Sequence, residues 1–181
     1  MNIVNLPIVD LVLIKSEPIL DTRGKFSRIF CEKELSNYLN NKQILQINIS
    51  ENINQGTIRG LHFQNHPSQE KKFVKCIKGR VFDVTVDLRK NSPTFLKWYG
   101  LEIKETDNNM ILIPEGCAHG FQVLEHNSHL LYLHTESYNS EYEDGIKYDD
   151  PLISIDWPLE LSDISDRDLK HPYLSNNYRG I

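Results

Sequence analysis

The chain lacks most of what marks out a special environment. Its three cysteines, Cys31, Cys76 and Cys117, are widely spaced and contain no CxxC pair. A disulfide framework or zinc knuckle is therefore not expected, and a reducing cytoplasm is the expected location. No apolar run approaches the roughly 18 residues that cross a bilayer. The start, MNIVNLPIVDLVLIKSE, has neither the basic flank nor the long apolar centre of a signal peptide. Excess positive charge is missing too: the net charge of −5 argues against nucleic-acid or membrane-surface partners. Repeats, low-complexity tracts and Pro/Gly-rich linkers are absent, so one domain over 1–181 is expected. The apolar fraction of 39% is modest, but it is spread in short runs that can supply a core.

Those runs have the period of strands. In VFDVTVDL (81–88), Phe82, Val84, Val86 and Leu88 fall on one face, and Val81, Asp83, Thr85 and Asp87 on the other. Comparable segments lie at 8–15, 43–49, 57–63, 72–77, 95–103, 110–113, 119–124 and 129–135. Turn signals separate them at Asp21-Thr22-Arg23-Gly24, Lys78-Gly79, Asn91-Ser92-Pro93 and Pro114-Glu115-Gly116. One helix is predicted at 31–40, and one or two short turns near the C-terminus. Many short strands without crossover helices predict an all-β sandwich or jelly roll.

Several stretches carry chemistry. Pro114-Glu115-Gly116-Cys117-Ala118-His119 has the PxGxxH form of a cupin half-motif, whose histidine commonly ligates a metal. The other half-motif corresponds to His62-Phe63-Gln64, then Lys72, then Gly79. A glutamine replaces the second histidine and a lysine occupies a ligand position. An ammonium group repels a divalent cation, so a metal-free pocket is expected. In TIRGLHFQ (57–64), Arg59 suits phosphate and His62 suits a general base near neutral pH. Strict alternation would point the two to opposite faces; a bulge at Gly60 would bring both to one cavity. Lys72 shares a strand face with Val74 and Cys76. Tyr132 alternates with Leu131 and Leu133, on the same face as Leu130 and His134. Taken singly, His119 also reads as a packed histidine, Lys72 as a snorkelling strand end, and Asp166-Arg167-Asp168 as a solvated charge cluster.

The segments DTRGKFS (21–27), QINIS (46–50), TIRGLHFQ, KGRVFDVTVDLRKNSPTF (78–95), IPEGCAHGFQVL (113–124), GIKYDDP (145–151), IDWP (155–158) and SDRD (165–168) together resemble the dTDP-4-dehydrorhamnose 3,5-epimerase family, in order from about residue 8 to 173. The resemblance implies a jelly-roll, cupin-like β-barrel with a few short helices and no cofactor. It also implies a homodimer whose N-terminal strands are exchanged, and a nucleotide-linked 4-keto-6-deoxyhexose as substrate. It implies that His62 is the base, Asp168 its partner, Lys72 the enolate stabiliser and Tyr132 the proton donor from the opposite side. Tyr138 matches an aromatic that stacks on thymine. Arg23 and Phe26, Gln46, Ile47 and Asn48, and Arg59, His119, Glu143 and Arg167 match substrate contacts, with Arg59 on the pyrophosphate and Arg23 reaching in from the partner subunit.

One departure stands out. Arg28 occupies a position where the family usually carries glutamate, which reverses the charge and the direction of hydrogen bonding. Tyr148 in place of tryptophan and Ser137 in place of tyrosine are milder changes. If Arg28 faces the sugar nucleotide, another substrate or a single inverted centre follows. A 3,4-ketoisomerase and a non-catalytic sugar-nucleotide-binding cupin are the other readings. The set His62, Lys72, Tyr132 and Asp168 speaks against the ketoisomerase.

Overall fold

In the computed structural model of residues 1–181, every strand ladder is antiparallel. The chain opens with β1 (Asn2–Asn5), β2 (Val12–Lys15), a hairpin of β3 (Ile19–Asp21) and β4 (Gly24–Phe26), and helix α1 (Glu32–Leu39). Eight strands follow: β5 (Gln46–Asn52), β6 (Ile58–Gln64), β7 (Lys72–Lys78), β8 (Arg80–Asp87), β9 (Trp98–Lys104), β10 (Asn109–Ile113), β11 (Cys117–Val123) and β12 (Ser128–His134). The short β13 (Glu143–Gly145) and α2 (Asp166–Leu169) complete the list.

Within the eight-strand block the first strand pairs with the last, β5 with β12. The second pairs with the seventh, β6 with β11, and β7–β10 and β8–β9 complete the nesting. That nesting is a jelly roll. The strands form two facing sheets, β1-β2-β10-β7-β12-β5 and β13-β6-β11-β8-β9. No ladder joins the sheets, so the expected barrel is an open sandwich.

Apolar side chains fill three layers. Between the sheets, Leu13, Val74, Ile111 and Leu130 meet Val81, Ile103, Phe121 and Val123. Outside the first sheet, Leu35 and Leu39 of α1 pack on Phe73, Met110 and Leu133. Burying two leucines of this kind contributes about 1.5–3 kcal/mol each, enough to hold an eight-residue helix that would be marginal alone. Outside the second sheet, the C-terminal segment lays Ile146, Ile153 and Trp157 over Leu61, Val84 and Val86. The apolar face of 81–88 therefore looks outward beneath that segment. Its polar face, with Asp83, Thr85 and Asp87, is buried inside the sandwich.

Three strand starts move by three or four residues from their sequence expectations, the one at 95–103 to Trp98, after Leu96 takes a positive φ of 59°. The strand expected at 8–15 begins only at Val12, because Asp10 takes a positive φ of 63° and Leu6 N–H reaches back to Leu11 C=O in a turn. That turn lets β1 fold onto β2. The strand expected at 43–49 shifts to 46–52, after Asn40 and Asn41 adopt φ of 50° and 64° and end the helix run.

Gly60 is a bulge. On β11 two steps separate His119 from Phe121, while on β6 their partners His62 and Arg59 are three apart. The extra residue restores Arg59 and His62 to the same cavity, as alternation alone would forbid. Gly60 has φ of 117°, and a Cβ there would lie 2.6 Å from Gly120 Cα and 2.7 Å from the His119 carbonyl oxygen. Backbone strain of this kind costs on the order of 1–3 kcal/mol, and these two neighbours are backbone that cannot swing aside. Gly60→Ala is expected to lower unfolding free energy by at least about 2 kcal/mol in urea titration; an unchanged midpoint would show that the bulge relaxes freely.

Candidate active site

His62 enters the cavity from β6, and Asp168 stands behind it in the first turn of α2. Ser165 caps that turn by accepting the Asp168 N–H at 3.1 Å. One Asp168 oxygen accepts the His62 Nε2–H at 2.9 Å; the other accepts the Gly60 N–H at 3.0 Å. The bulge thus serves twice, turning His62 inward and freeing an amide to grip its partner. Asp168 is 2% exposed. Burial alone would raise its carboxyl, but the His62 hydrogen bond and charge, then the Gly60 amide and Ser165, pull it well below the ordinary aspartate value. An ionised Asp168 favours the proton on Nε2 and leaves the Nδ1 lone pair free. Arg167 Nη2 also lies 3.1 Å from Nε2. A single ring nitrogen cannot donate and accept together, and the anionic acceptor takes the hydrogen.

Across the cavity, β12 supplies Tyr132 from the opposite sheet. Burial and the nearby Asp83 carboxylate hold the phenol well above its usual value, so it keeps its proton. Its hydroxyl makes no hydrogen bond within the protein; the ring lies 5.8 Å from His134 in a parallel stack and 6.1 Å from His119 edge-on. Lys72, at the start of β7, is 12% exposed and sits 3.2 Å from a Glu70 oxygen. These groups surround a cavity of about 280 Å³.

Gln46 and Asn48 line the same cavity from β5, and Ile47 between them turns outward, 61% exposed, so its side chain is not a lining group. Arg59 also lines it, with its Nε–H bonded to Asn52 Oδ1 at 2.7 Å. His119 is held by Asp83 at 2.8 Å. At the mouth, Tyr138 O–H and Arg167 Nη1–H both donate to one Glu143 oxygen at 2.9 Å, leaving the Tyr138 ring 55% exposed.

The β3–β4 hairpin is elsewhere. Arg23 at its turn pairs with Asp21, and Phe26 is 73% exposed. Arg28 pairs with Glu34 of α1 at 2.6 Å. None of the three lines the cavity of its own chain, so Arg28 does not face the site that its own chain builds.

Three residues to which sequence reasoning gave no role belong to the site or back it: Glu70 and His134 line the cavity, and Asp83 stands behind His119. Their signals differed in strength. His134 shares the Tyr132 face and Asp83 the polar face of β8, whereas Glu70 lies in the charged loop before β7, which reads as solvated. Gln64, considered above as a lost metal ligand, is spent on loops. Its amide donates to Ser68 and Ser137 carbonyls and accepts from Asn139 N–H. His62, Asp168 and His171 bring three ligand-type atoms within 4.8 Å of one another. A cation fits there poorly, because the Arg167 guanidinium already abuts the same His62 nitrogen. A larger cleft of about 680 Å³ lies between the N-terminal turn and α1. Its cations are already engaged, Lys71 by the Tyr38 carbonyl and Arg89 by Asp87.

A base with a fixed tautomer, a protonated phenol on the facing sheet and an ammonium group between sheets is equipment for moving protons at carbon beside a carbonyl, as an isomerase does. The family described as dTDP-4-dehydrorhamnose 3,5-epimerase matches residues 5–176. The enzyme of that name from Methanothermobacter thermautotrophicus is 41% identical over 169 residues, covering 92% of this chain and 90% of its own. The crystal structure of the Elizabethkingia anophelis enzyme superposes with a TM-score of 0.92 at 35% identity, covering 98% of both chains. An enzyme from Legionella pneumophila, solved in complex with dTDP-4-keto-L-rhamnose, gives 0.89 at 37% identity, covering 95% of this chain and 92% of its own. The chain belongs to the dTDP-4-dehydrorhamnose 3,5-epimerase family.

Asp168→Asn keeps the shape but no longer fixes the imidazole tautomer, and kcat is expected to fall by about 10²–10⁴. Because the native carboxyl is depressed, its stabilising contribution is present above about pH 4 and lost as pH falls further. The stability difference between the native chain and Asp168→Asn, followed by denaturant titration, should therefore narrow progressively as pH falls below about 4. A difference that does not change with pH would show that the pair is not ionic.

Proposed function

We propose that this chain epimerises C3 and C5 of dTDP-4-dehydro-6-deoxy-D-glucose, giving dTDP-4-dehydro-L-rhamnose. The observation that carries the reading is the placement of the His62–Asp168 pair and the protonated Tyr132 on facing sheets of one cavity. His62 Nδ1 takes the proton from the carbon beside the C4 ketone, and the C–H electrons move onto the ketone oxygen. Lys72 donates to that developing enolate, a kind of stabilisation worth about 10²–10³ in rate. Tyr132 then delivers its proton to the other face, so the centre inverts. The tyrosinate and imidazolium return to their starting states through solvent, and the cycle repeats at the second centre. Tyr138 suits the thymine face, and Arg59 and Arg167 suit the pyrophosphate. No step calls for a metal.

In deuterated water, the native chain should place deuterium at both C3 and C5 of this substrate, followed by proton NMR. Deuterium at one centre would instead indicate a single-centre epimerase, and none at either would refute the reading. His62→Ala should abolish the exchange while leaving dTDP affinity within about threefold.

Two exposed features support a homodimer. The β3–β4 hairpin projects Ile19, Leu20 and Phe26, which are 67%, 71% and 73% exposed, and the edge strand β5 presents Ile47 and Ile49 at 61% and 57%. An open edge beside apolar side chains is suited to accept a strand from another copy. Such an exchange would carry Arg23, Phe26 and Arg28 to the partner's site. Light scattering should give twice the 21.1 kDa chain mass; Phe26→Asp with Ile47→Asp should give the monomer and much weaker substrate binding. A fully active monomeric variant would refute the exchange. The three free thiols suit a reducing cytoplasm, and no helix is long and apolar enough to cross a membrane.

A further inference from the structure

The cavity is organised by three histidine–carboxylate pairs, and the chemistry above uses only His62–Asp168 directly. His119–Asp83 and His134–Glu70 flank Tyr132. The phenol needs external support, because its hydroxyl has no hydrogen-bond partner in the protein and its ring is steadied through these two imidazoles.

The His134 pair has a further reach. Glu70 is nearly inaccessible, its side chain 7% exposed. One oxygen accepts the His134 Nδ1–H at 2.7 Å and the other lies 3.2 Å from Lys72 Nζ. The free His134 Nε2 accepts from Asn48 Nδ2 at 3.4 Å, so the donor directions along the chain are mutually consistent. Burial alone would raise the Glu70 carboxyl, but the His134 and Lys72 contacts outweigh it and leave the group below the ordinary glutamate value. Both ends of this carboxylate therefore terminate on groups that frame the reacting carbon: the ammonium of Lys72 and, through the stacked His134, the Tyr132 ring.

We propose that Glu70 and His134 are positioning residues that hold the proton donor Tyr132 and the enolate stabiliser Lys72 in fixed mutual register, so that the enolate is protonated from the Tyr132 side before it returns to His62. This rests on the epimerase reading and deepens it. The enolate has two fates: His62 gives a proton back to the face it came from, or Tyr132 gives one to the opposite face. The first yields deuterium without inversion in deuterated water; the second yields deuterium with inversion. The hold on Tyr132 governs the ratio, whereas a weakened hold on Lys72, like general loosening of the fold, lowers both outcomes together.

The test uses Glu70→Gln, which keeps the size but removes the charge, and His134→Phe, which keeps the stacking face but cannot donate to Glu70. Each is assayed with dTDP-4-dehydro-6-deoxy-D-glucose in deuterated water, counting deuterium in unreacted substrate against inverted product. Binding of dTDP and the thermal midpoint are measured alongside as folding controls. Inversion is expected to fall by about 10- to 100-fold, with KM and dTDP affinity within about threefold, while exchange into unreacted substrate falls much less. Exchange and inversion falling in parallel, or neither changing, would overturn the clamp alone. Absence of exchange in the native enzyme would remove the epimerase reading and the clamp with it.

Discussion

The Asp168 carboxylate joins parts of the chain that are 106 residues apart at His62 and 108 apart at Gly60. One oxygen orients the His62 imidazole and the other anchors the bulge that turned it inward. Each contact depends on the other. Without the bulge, β6 would present His62 and Arg59 to opposite faces, and the Gly60 amide would be directed elsewhere. Without a buried anion, that amide would stand unpaired in the interior, at a cost of about 1–3 kcal/mol. The capped turn of α2, the C-terminal segment that carries it, and the outer apolar layer on the second sheet all serve to hold one carboxylate in place.

The polar residues inside the sandwich follow from the same requirement. A sheet face with Asp83, Thr85 and Asp87 would ordinarily meet water, yet here it faces inward. Its burial is tolerated because its carboxylates are hydrogen-bonded, one Asp83 oxygen by His119 and Asp87 by Arg89, Ser92 and Thr94, while the other Asp83 oxygen is left without a partner. A cupin scaffold that could gather ligands round a metal instead gathers imidazoles backed by carboxylates. In the proposed chemistry, Lys72 supplies the fixed positive charge that a metal ion would otherwise bring to an oxyanion.

Much of this was legible before the structure. Alternation in 81–88 and 129–135 gave strands in the right places, and the Arg59–Gly60–His62 conflict pointed to a bulge at the correct residue, because a period of two leaves no other way to reconcile both side chains. The helix at 31–40 was equally clear. Positive-φ residues at Asp10, Asn40 and Asn41 shifted strand ends that propensity alone placed too early. Short elements such as β1 and β13 carry too few residues for a period to show. The inward orientation of the polar face was hidden because it depends on the C-terminal segment covering the other side. Glu70 escaped notice for a related reason: a charge in a polar loop looks solvated until a neighbouring strand closes over it.

The nesting of β5 with β12 has a consequence in time. Every ladder of the eight-strand block except β8–β9 joins segments separated by much intervening chain, and the dyad closes only when residue 168 folds back on residue 62. Loop closure over such distances comes before any reward from the contacts, so topologies of this kind fold slowly, on the order of milliseconds to seconds. During synthesis at about 5–20 residues per second, the sheets wait on their last partners. The interior carboxylates and histidines stay wet until then, and His62 meets its carboxylate partner only after residue 168 has been made.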